Sequence, residues 1–459
     1  MEFDAELISR YDVAGPRYTS YPTARQFMSP FDPVRYLEEI VHSNDDPIPS
    51  ELSLYLHIPF CSSPCYYCGC TRLITRDSGK VARYLERLSY EAALQGRLFD
   101  RDRMVRQLHL GGGTPTQLDD KQLAGLMDSL RESFHFGADE TLEASIEVDP
   151  RTVTPARMQA MADIGFNRVS FGIQDFDATV QEAVNRRQTV GQCLAVIAAA
   201  KSSGFKSVSV DLIYGLPRQT VEGFGATLET VVAARPGRIA IYGYAHLPQH
   251  FKAQRQITEA ELPGPALRLK LLAKAVEVLT RAGYLHIGMD HFALPDDDLA
   301  IAKRTGKLQR NFQGYSTQAG LDLVGLGLSA IGHVGSVYAQ NAKTLNEYYV
   351  ALDQGRLPIV AGLTMSNDDR VRADVINRLM CYDEVRFAEV EHSHHIDFHE
   401  YFSRELGRLQ TPATDGLVTI EPDRIRVMPR GRFLLRNLAM TFDAHLPGEP
   451  AGPRYSRAI

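Results

Sequence analysis

Short apolar runs rich in β-branched residues alternate with longer amphipathic segments along the first half of the chain. The short runs have the length of strands, and the longer segments repeat their apolar residues at helical spacing. Strands that alternate with helices are typical of βαβ units, which build a parallel sheet. The pattern predicts six strands: Leu52–Ile58, Gln107–Leu110, Leu142–Val148, Arg168–Ile173, Ser207–Ile213 and Arg238–Tyr244.

Glycines mark the ends of several predicted helices. Gly165 and Gly204 each follow a helical segment and open similar sequences, GFNRVS and GFKSVS, and Gly283 opens a looser third copy. A glycine after the last helical turn readily adopts the left-handed conformation that ends a helix. The helix before Gly165 also has a predicted start, because Thr154 can cap it and Pro155 suits its first position.

Six such units fit a partial barrel, and from the pattern alone a complete eight-stranded barrel or a doubly wound sheet fits almost as well. In all three folds, ligands bind at the carboxyl ends of the strands. We expect three parts: an N-terminal arm over residues 1–50, an α/β core over residues 51–360 and a C-terminal domain over residues 361–459.

The C-terminal domain differs in pattern from the core. Residues Asp368–Leu379 and His399–Leu409 have helical spacing, and two short strands follow at Leu417–Ile420 and Arg424–Val427. Helices followed by a strand pair predict a mainly helical, winged-helix-like domain. We interpret it as a substrate cover or packing module rather than a DNA-binding domain, because the chain is acidic overall.

The charge balance and the N-terminal sequence limit the partners and the cellular compartment that we expect. Fifty Lys and Arg residues against 56 Asp and Glu residues give a net charge of −6, so we expect no nucleic-acid partner. No basic start with an apolar run opens the chain, and the longest apolar stretches, such as Leu194–Ala200, are too short to cross a bilayer. We therefore expect a cytoplasmic monomer without a membrane span, whose cysteines stay reduced.

Four of the six cysteines fall within ten residues, namely Cys61, Cys65, Cys68 and Cys70, directly after the predicted strand Leu52–Ile58. Thiolates are the usual ligands of iron–sulfur clusters, and a short loop lets three of them converge. Zinc usually takes two separated cysteine pairs and disulfides need an oxidising compartment, so the cluster is favoured over both. Three ligands leave one iron for a chelating substrate, as an open catalytic metal site does.

The segment CSSPCYYC at residues 61–68 resembles the signature of the radical S-adenosylmethionine (SAM) superfamily. The resemblance implies a 4Fe–4S cluster on Cys61, Cys65 and Cys68 and a partial barrel of six βα units. It also implies that SAM binds the free iron and is cleaved by one electron to a 5′-deoxyadenosyl radical.

Seven further segments narrow the resemblance to one family. They are GPRYTSYPTA (15–24), CGC (68–70), GIQDF (172–176), YAHLP (244–248), GMDHFA (288–293), NFQGY (311–315) and SAI (329–331). Together they resemble the oxygen-independent coproporphyrinogen III oxidases, also called coproporphyrinogen dehydrogenases. The resemblance implies oxidative decarboxylation of two propionate side chains of coproporphyrinogen III to vinyl groups, which gives protoporphyrinogen IX in haem biosynthesis. It also implies a low-potential electron donor and two bound SAM molecules.

The resemblance assigns SAM-binding roles to twelve residues. They are Tyr55, Tyr67, Gly111, Gly112, Gly113, Thr114, Glu147, Gln174, Arg186, Asp211, Ala245 and Ile331. The residue types fit such roles, because glycines let the backbone approach a ligand and a carboxylate in an apolar strand needs a partner. A structural ion pair with Arg186 is the alternative for Glu147 and Asp211.

The N-terminal arm carries a cation for a substrate with four carboxylates. We expect Arg17, with Tyr18 and Tyr21, to close over the porphyrinogen as a lid, and Arg17 is a candidate catalytic residue alongside the three cysteines. An arm that only packs on the core is the alternative.

A haem-binding or haem-delivery protein is the alternative function. Such relatives keep the three cysteines but generally lack the fourth, here Cys70, and an arm like residues 16–24, both of which this chain has. Isolated cysteines and histidines receive structural interpretations: Cys193 and Cys381 as core residues, His57 as a packed strand residue, and His392 to His399 as a solvated edge.

Overall fold

A computed structural model describes residues 3–138 and 141–446 of the chain. Residues 447–459, the end of the predicted C-terminal domain, lie outside the described residues. The strands, in chain order, are β1 (Leu52–Ile58), β2 (Phe60–Cys61), β3 (Leu73–Ile74), β4 (Val105–Gly112), β5 (Glu143–Val148), β6 (Arg168–Gln174), β7 (Ser207–Tyr214), β8 (Arg238–Gly243), β9 (Leu285–Gly288), β10 (His291–Ala293), β11 (Gln309–Asn311), β12 (Gly314–Ser316), β13 (Asp322–Leu326), β14 (Ile331–Val334), β15 (Val337–Asn341), β16 (Ile359–Thr364), β17 (Glu384–Arg386), β18 (Val418–Ile420) and β19 (Arg424–Val427).

The helices, in chain order, are α1 (Ala5–Tyr11), α2 (Pro33–Asn44), α3 (Ser78–Gly96), α4 (Asp120–Ser133), α5 (Pro155–Ile164), α6 (Ala178–Ala183), α7 (Val190–Ser202), α8 (Val221–Ala234), α9 (Pro265–Arg281), α10 (Asp298–Arg304), α11 (Leu345–Asp353), α12 (Asn367–Tyr382), α13 (Phe387–His394), α14 (Phe398–Tyr401), α15 (Ser403–Arg408), α16 (Gln410–Thr414) and α17 (Leu435–Met440). Among the described residues, no helix is both long and apolar enough to cross a membrane.

The chain groups into two compact units. The first, called the sheet unit, comprises Phe27–Leu267 and Gly320–Thr364. The second, called the helical unit, comprises the chain up to Gln26, the segment Arg268–Ala319 and the chain from Met365 onward. The domain boundaries at residues 50 and 360 stay a prediction from the sequence.

All six predicted strands are present in the sheet unit, as β1, β4, β5, β6, β7 and β8. Hydrogen-bonded neighbours there lie in the order β16-β15-β14-β13-β1-β4-β5-β6-β7-β8. Neighbours from β13 to β8 are parallel, and β14 to β16 extend the sheet antiparallel. From β1 to β8 the parallel strands follow chain order, whereas a doubly wound sheet reverses its strand order, so these six strands match a barrel-like winding. The seventh parallel strand, β13, is not among the predicted strands.

Local signals place the helix ends of the sheet unit. Gly165 ends α5 in the left-handed conformation at φ 116°, and Gly204 after α7 has φ 83°. Pro155 is the first residue of α5, as predicted. Thr154 occupies the cap position, but its side chain makes no capping hydrogen bond.

The C-terminal part of the helical unit contains α12 and a small antiparallel sheet in the order β17-β19-β18. This arrangement of helices and a β-hairpin confirms the predicted composition of the domain. The predicted helix over His399–Leu409 is interrupted at Phe402, which separates α14 from α15. Phe402 is fully buried, and its ring packs against Phe398 and Phe442. Cys381 is buried in α12, as Cys193 is in α7, so both are core residues as predicted.

Candidate functional site

Polar side chains of neighbouring strands meet on one face of the sheet. Tyr55 of β1 is in register with His109 of β4, and their rings stack with centroids 5.9 Å apart. Glu147 of β5 is in register with Ser170 of β6, whose hydroxyl donates to the Asp211 carboxylate of β7 at 2.8 Å. Because side chains alternate between the two faces along a strand, the register concentrates these polar groups on one side.

The cysteine loop follows β1, and its two ends are hydrogen-bonded to each other. Cys61 lies on β2, which pairs in parallel with β3, and Thr75 N donates to the Cys61 carbonyl at 3.0 Å. Inside the loop, the Arg72 guanidinium donates to the carbonyl oxygens of Cys68 at 3.2 Å and Cys65 at 3.4 Å. These bonds fix the loop's backbone, so three thiols are held on one short segment.

A cavity of about 180 Å³ adjoins these thiols. Its walls combine the cysteine loop, the glycine turn and the carboxyl ends of β5, β6 and β7. The lining residues are Cys61, Ser63, Cys65, Tyr67, Cys68, Cys70, Arg72, Gly112, Gly113, Thr114, Pro115, Glu147, Val148, Asp149, Arg151, Ser170, Gly172, Gln174, Arg186 and Asp211. Eleven of the predicted site residues therefore share one cavity.

Donor groups surround the thiols. Cys65 Sγ lies 3.4 Å from Arg151 Nη2 and 3.5 Å from Arg186 Nη1. Cys61 Sγ lies 3.3 Å from the Thr114 hydroxyl. Both guanidinium groups are therefore placed to stabilise the negative charge of a cluster bound to Cys65.

Two of the thiols have opposite pKa shifts. A hydrogen bond with the Cys70 thiol lowers the pKa of Cys68 to about 6, and the positive charge of Arg72 contributes in the same direction. Burial raises the pKa of Cys61 to about 11, and its contact with Thr114 opposes that shift only in part. The loop therefore presents one thiol that ionises readily beside one that needs a cation to do so.

Arg186 pairs with Asp149 and not with the strand carboxylates that we considered from the sequence. Arg186 Nη1 lies 3.1 Å and Arg151 Nη2 lies 2.7 Å from the Asp149 carboxylate, and Arg186 also donates to the Gly172 carbonyl. Although burial raises the pKa of Asp149, the two guanidinium groups outweigh it and hold that pKa below its usual value. The Asp149 carboxylate thus holds both arginines, Arg151 and Arg186, toward Cys65.

The glycine turn after β4 lies against Glu147. Gly112 N donates to Glu147 Oε2 at 3.2 Å, and His109 Nε2 lies 3.3 Å from Glu147 Oε1. Gly112 has φ 119°, and a Cβ on Gly113 would lie 2.8 Å from the Pro59 backbone. These two positions require glycine. The strand runs through Gly112, so the first two glycines belong to β4 rather than following it.

Asp211 differs from the other carboxylates of the cavity. Its hydrogen bond comes from the Ser170 hydroxyl, which carries no charge. Burial raises its pKa to about 7, and the charge of Glu147 acts in the same direction. A carboxylate in this position gains from a ligand that brings additional hydrogen-bond donors.

Four predicted SAM-binding residues do not line the cavity, namely Tyr55, Gly111, Ala245 and Ile331. The Tyr55 hydroxyl bonds to His57 Nδ1 at 3.1 Å, and the other ring nitrogen of His57 bonds to the Thr71 carbonyl. His57 is thus a packed, hydrogen-bonded strand residue, as predicted. Ile331 lies in β14, in register with Gln340 of β15. The roles of these four residues in SAM binding stay predictions.

Sequence reasoning missed five polar residues of the cavity: Ser63, Arg72, Asp149, Arg151 and Ser170. Asp149 and Arg151 directly follow the strand that carries Glu147, at the end where ligands bind. That position was the signal available for them. Asp175, which follows Gln174, instead bonds to Gln219 at 2.6 Å and Thr227 at 2.8 Å, so it supports the fold behind the cavity.

Arg17 lies in the helical unit. Its guanidinium donates to the Asp290 carboxylate at 2.9 Å, and its side chain is 35% exposed. The two neighbouring tyrosines are buried: the Tyr18 hydroxyl donates to Asp443 at 2.9 Å, and the Tyr21 hydroxyl accepts from Ala444 N at 3.0 Å. Of the three residues of the expected lid, Arg17 therefore has the most accessible polar group.

Comparisons with known proteins match both parts of the chain. Residues 55–231 match the family model of the radical SAM superfamily, and residues 365–434 match the HemN C-terminal domain. The first match spans the cysteine loop and the strands that form the cavity. The chain thus has the fold of a radical SAM protein, and this family implies a 4Fe–4S cluster and SAM.

Relatives extend the match to the full length. A Pseudomonas aeruginosa protein named oxygen-independent coproporphyrinogen III oxidase is 46% identical over 100% of this chain and 99% of its own length. An Escherichia coli protein of the same name is 44% identical over the same shares. A solved structure described as coproporphyrinogen III oxidase (HemN) from Escherichia coli, a radical SAM enzyme, superposes with a TM-score of 0.92 at 43% identity, covering 97% of this chain and 100% of the other. The chain belongs to the oxygen-independent coproporphyrinogen III oxidase family.

The residues of the cavity fit the groups that this family implies. Three thiols lie on one clamped loop, and the glycine turn beside them has no space for side chains. Arg186 Nε is buried without a hydrogen-bond partner among residues 3–138 and 141–446. Thiols, guanidinium donors and unpaired polar atoms suit a negatively charged cluster and a polar nucleoside ligand.

Proposed function

We propose that this protein converts coproporphyrinogen III to protoporphyrinogen IX without oxygen. Each of two propionate side chains loses a hydrogen atom from its β-carbon, then CO2 and one electron, and becomes a vinyl group. The observation that carries the proposal is the convergence of Cys61, Cys65 and Cys68 in one cavity with Glu147 and Asp211, within a chain that matches its relatives over the full length. Haem delivery without oxidase activity is not favoured.

The cluster and the nucleoside ligand divide the cavity by chemistry. Cys61, Cys65 and Cys68 would hold the 4Fe–4S cluster, which supplies the electron that cleaves the carbon–sulfur bond of SAM. Arg151 and Arg186 donate to Cys65 and stabilise negative charge there. The polar residues of the cavity that do not hold the loop or pair with these arginines remain for the nucleoside ligand.

Carboxylates and amides of the cavity bind the polar groups of SAM in this proposal. Asp211 and Glu147 accept hydrogen bonds from ribose hydroxyls and from the amino group, as does the side-chain oxygen of Gln174. The edge of the glycine turn that lines the cavity, Gly112 to Thr114, accepts the methionine part. We also propose a second SAM molecule bound with the help of Tyr55, Ala245 and Ile331, outside this cavity.

Arg17 binds a substrate carboxylate in this proposal, because its guanidinium is partly exposed and carries a fork of donors. Replacing it with alanine should lower turnover while cluster content and SAM cleavage remain. Unchanged turnover would remove Arg17 from the mechanism. The protein further acts in the cytoplasm as a monomer, with a low-potential electron donor and without nucleic acid.

An anaerobic assay tests the function. The protein, reconstituted with iron and sulfide, receives a reductant, SAM and coproporphyrinogen III. Protoporphyrinogen IX should form together with methionine and 5′-deoxyadenosine. SAM cleavage without vinyl products would indicate another substrate, and stable haem binding without turnover would indicate the carrier function.

A further inference from the structure

In the helical unit, two guanidinium groups hydrogen-bond to the carbonyl oxygens of two consecutive residues of the N-terminal arm. Arg436 Nε donates to the Pro16 carbonyl at 2.8 Å, and Arg310 Nε and Nη2 lie 3.4 Å from the Arg17 carbonyl. Arg17 itself donates to Asp290 at 2.9 Å. We call Arg17, Arg310 and Arg436 the arginine cluster.

Two members of the arginine cluster are buried. Arg310 is 9% and Arg436 is 3% exposed, so both cations are withdrawn from water. Asp290 and Asp12 are carboxylates that act on Arg436, and they oppose the effect of burial on its pKa. Burial lowers the pKa of Arg436 to about 10, and the charge of Arg17 contributes in the same direction. An additional anion would relieve this repulsion.

Arg310 has a donor that the protein does not use. Its Nη1 is buried and has no hydrogen-bond partner among residues 3–138 and 141–446. The guanidinium lies 4.8 Å from the centre of the Tyr315 ring, which restricts its orientation. Buried donors normally have partners, and a guanidinium N–H bonds to a carboxylate especially well.

We propose that the arginine cluster binds one propionate carboxylate of the substrate, with Arg310 as the principal new contact. The proposal rests on the proposed function, which supplies the tetracarboxylate. Arg17 is the accessible member and Arg310 the buried one. A carboxylate bonded to both would complete the donors of Arg310.

Binding of coproporphyrin III, followed by its fluorescence, tests this site without turnover. Arg310→Gln keeps a donor for the Arg17 carbonyl but removes the charge, and we expect it to raise the Kd about tenfold. Arg310→Lys should give an intermediate Kd, because it keeps the charge without the fork. Arg281→Gln, which removes an exposed charge of the same unit, should leave the Kd unchanged.

The neutral tetramethyl ester of coproporphyrin III separates charge recognition from general packing. Arg310→Gln should weaken binding of the acid but leave binding of the ester unaffected. An unchanged Kd for the acid, or an equal loss for both ligands, would overturn the proposal. If Arg310→Gln does not fold, the wild-type protein decides: equal affinity for acid and ester overturns the site, and preference for the acid together with the Arg310→Lys loss supports it.

Turnover by the wild type distinguishes this proposal from the function on which it rests. If the wild type forms protoporphyrinogen IX but Arg310→Gln has an unchanged KM, the arginine site fails and the function stands. If the wild type neither binds coproporphyrin III nor forms product, the function fails and the arginine site fails with it.

Discussion

Two buried regions of the sheet unit each centre on a carboxylate whose pKa burial raises to about 7, and they use it in opposite ways. Glu91 of α3 accepts hydrogen bonds from the Tyr348 hydroxyl at 2.6 Å, Asn341 Nδ2 at 2.6 Å and Gly327 N at 2.8 Å. Asp211 has the Ser170 hydroxyl and faces the cavity. Hydrogen-bond satisfaction, rather than burial or pKa, distinguishes a carboxylate that stabilises the fold from one available to a ligand.

The Glu91 region fixes a turn of the sheet. Asn341 also donates to the Gly327 carbonyl at 2.9 Å, so both backbone groups of Gly327 are bonded within the network. Tyr84 joins the same turn to β1, because its hydroxyl accepts from Leu328 N at 2.9 Å and donates to the His57 carbonyl at 2.6 Å. This network connects the end of β13 with the strand that precedes the cysteine loop.

The largest effect is expected from a substitution of a cysteine that lines the cavity. Cys65→Ser should abolish SAM cleavage and product formation, because a hydroxyl is a poor ligand for the cluster. Iron and sulfide analysis of anaerobically reconstituted protein measures the cause. Cys193→Ala removes a buried cysteine far along the chain and should keep full iron content. Full iron content and SAM cleavage in Cys65→Ser would contradict the assignment of the cluster.

A large effect on stability is expected from a substitution in the Glu91 region. Glu91→Ala leaves the donors of Tyr348, Asn341 and Gly327 buried without an acceptor. We expect the free energy of unfolding to fall by on the order of 3 kcal/mol, measured by urea denaturation of the cluster-free protein. A loss below that of the exposed control Glu277→Gln would show that the network does not stabilise the fold.

A smaller effect should be confined to ligand binding. Asp211→Asn keeps an acceptor for Ser170 but loses the charge, so the Kd for SAM should rise about tenfold. The free energy of unfolding should stay the same or increase, because a buried charge is removed. Calorimetric titration with SAM measures the first change. A large loss of stability with unchanged affinity would make Asp211 a structural residue like Glu91.

A pH dependence of stability should be common to both carboxyl groups. Folding raises the pKa of Glu91 from 4.5 to about 7, so the folded protein holds this proton more tightly than the unfolded chain does. The free energy of unfolding should therefore fall as pH rises from about 4.5 to 7 and change little from this group above that. Glu91→Gln and Asp211→Asn should each reduce the slope. A stability that increases over this range in the wild type, and equally in both variants, would contradict the prediction.

Local sequence patterns were sufficient for the six predicted strands of the sheet unit and for several helix ends, while the ligand role of the cysteine loop stays a prediction. β1 and β19 have the predicted bounds, and Gly165 ends its helix as predicted. Spacing along the chain encodes these features, since neighbouring residues alone decide side-chain alternation, helix ends and the reach of a short loop. The break at Phe402 was not predicted, and the Phe402 ring packs against Phe442, a residue far along the chain.

The sequence by itself determined the chemistry of this protein: three thiols on one loop, a glycine turn and polar strand ends of a parallel α/β fold. Only the tertiary structure decided which side chains pair with one another. It paired Arg186 with Asp149, enclosed Glu91 among neutral donors, and brought Arg310 and Arg436 to the arm. The physical reason is distance along the chain: a hydrogen bond between residues far apart in sequence depends on strand register and packing, which no local pattern records.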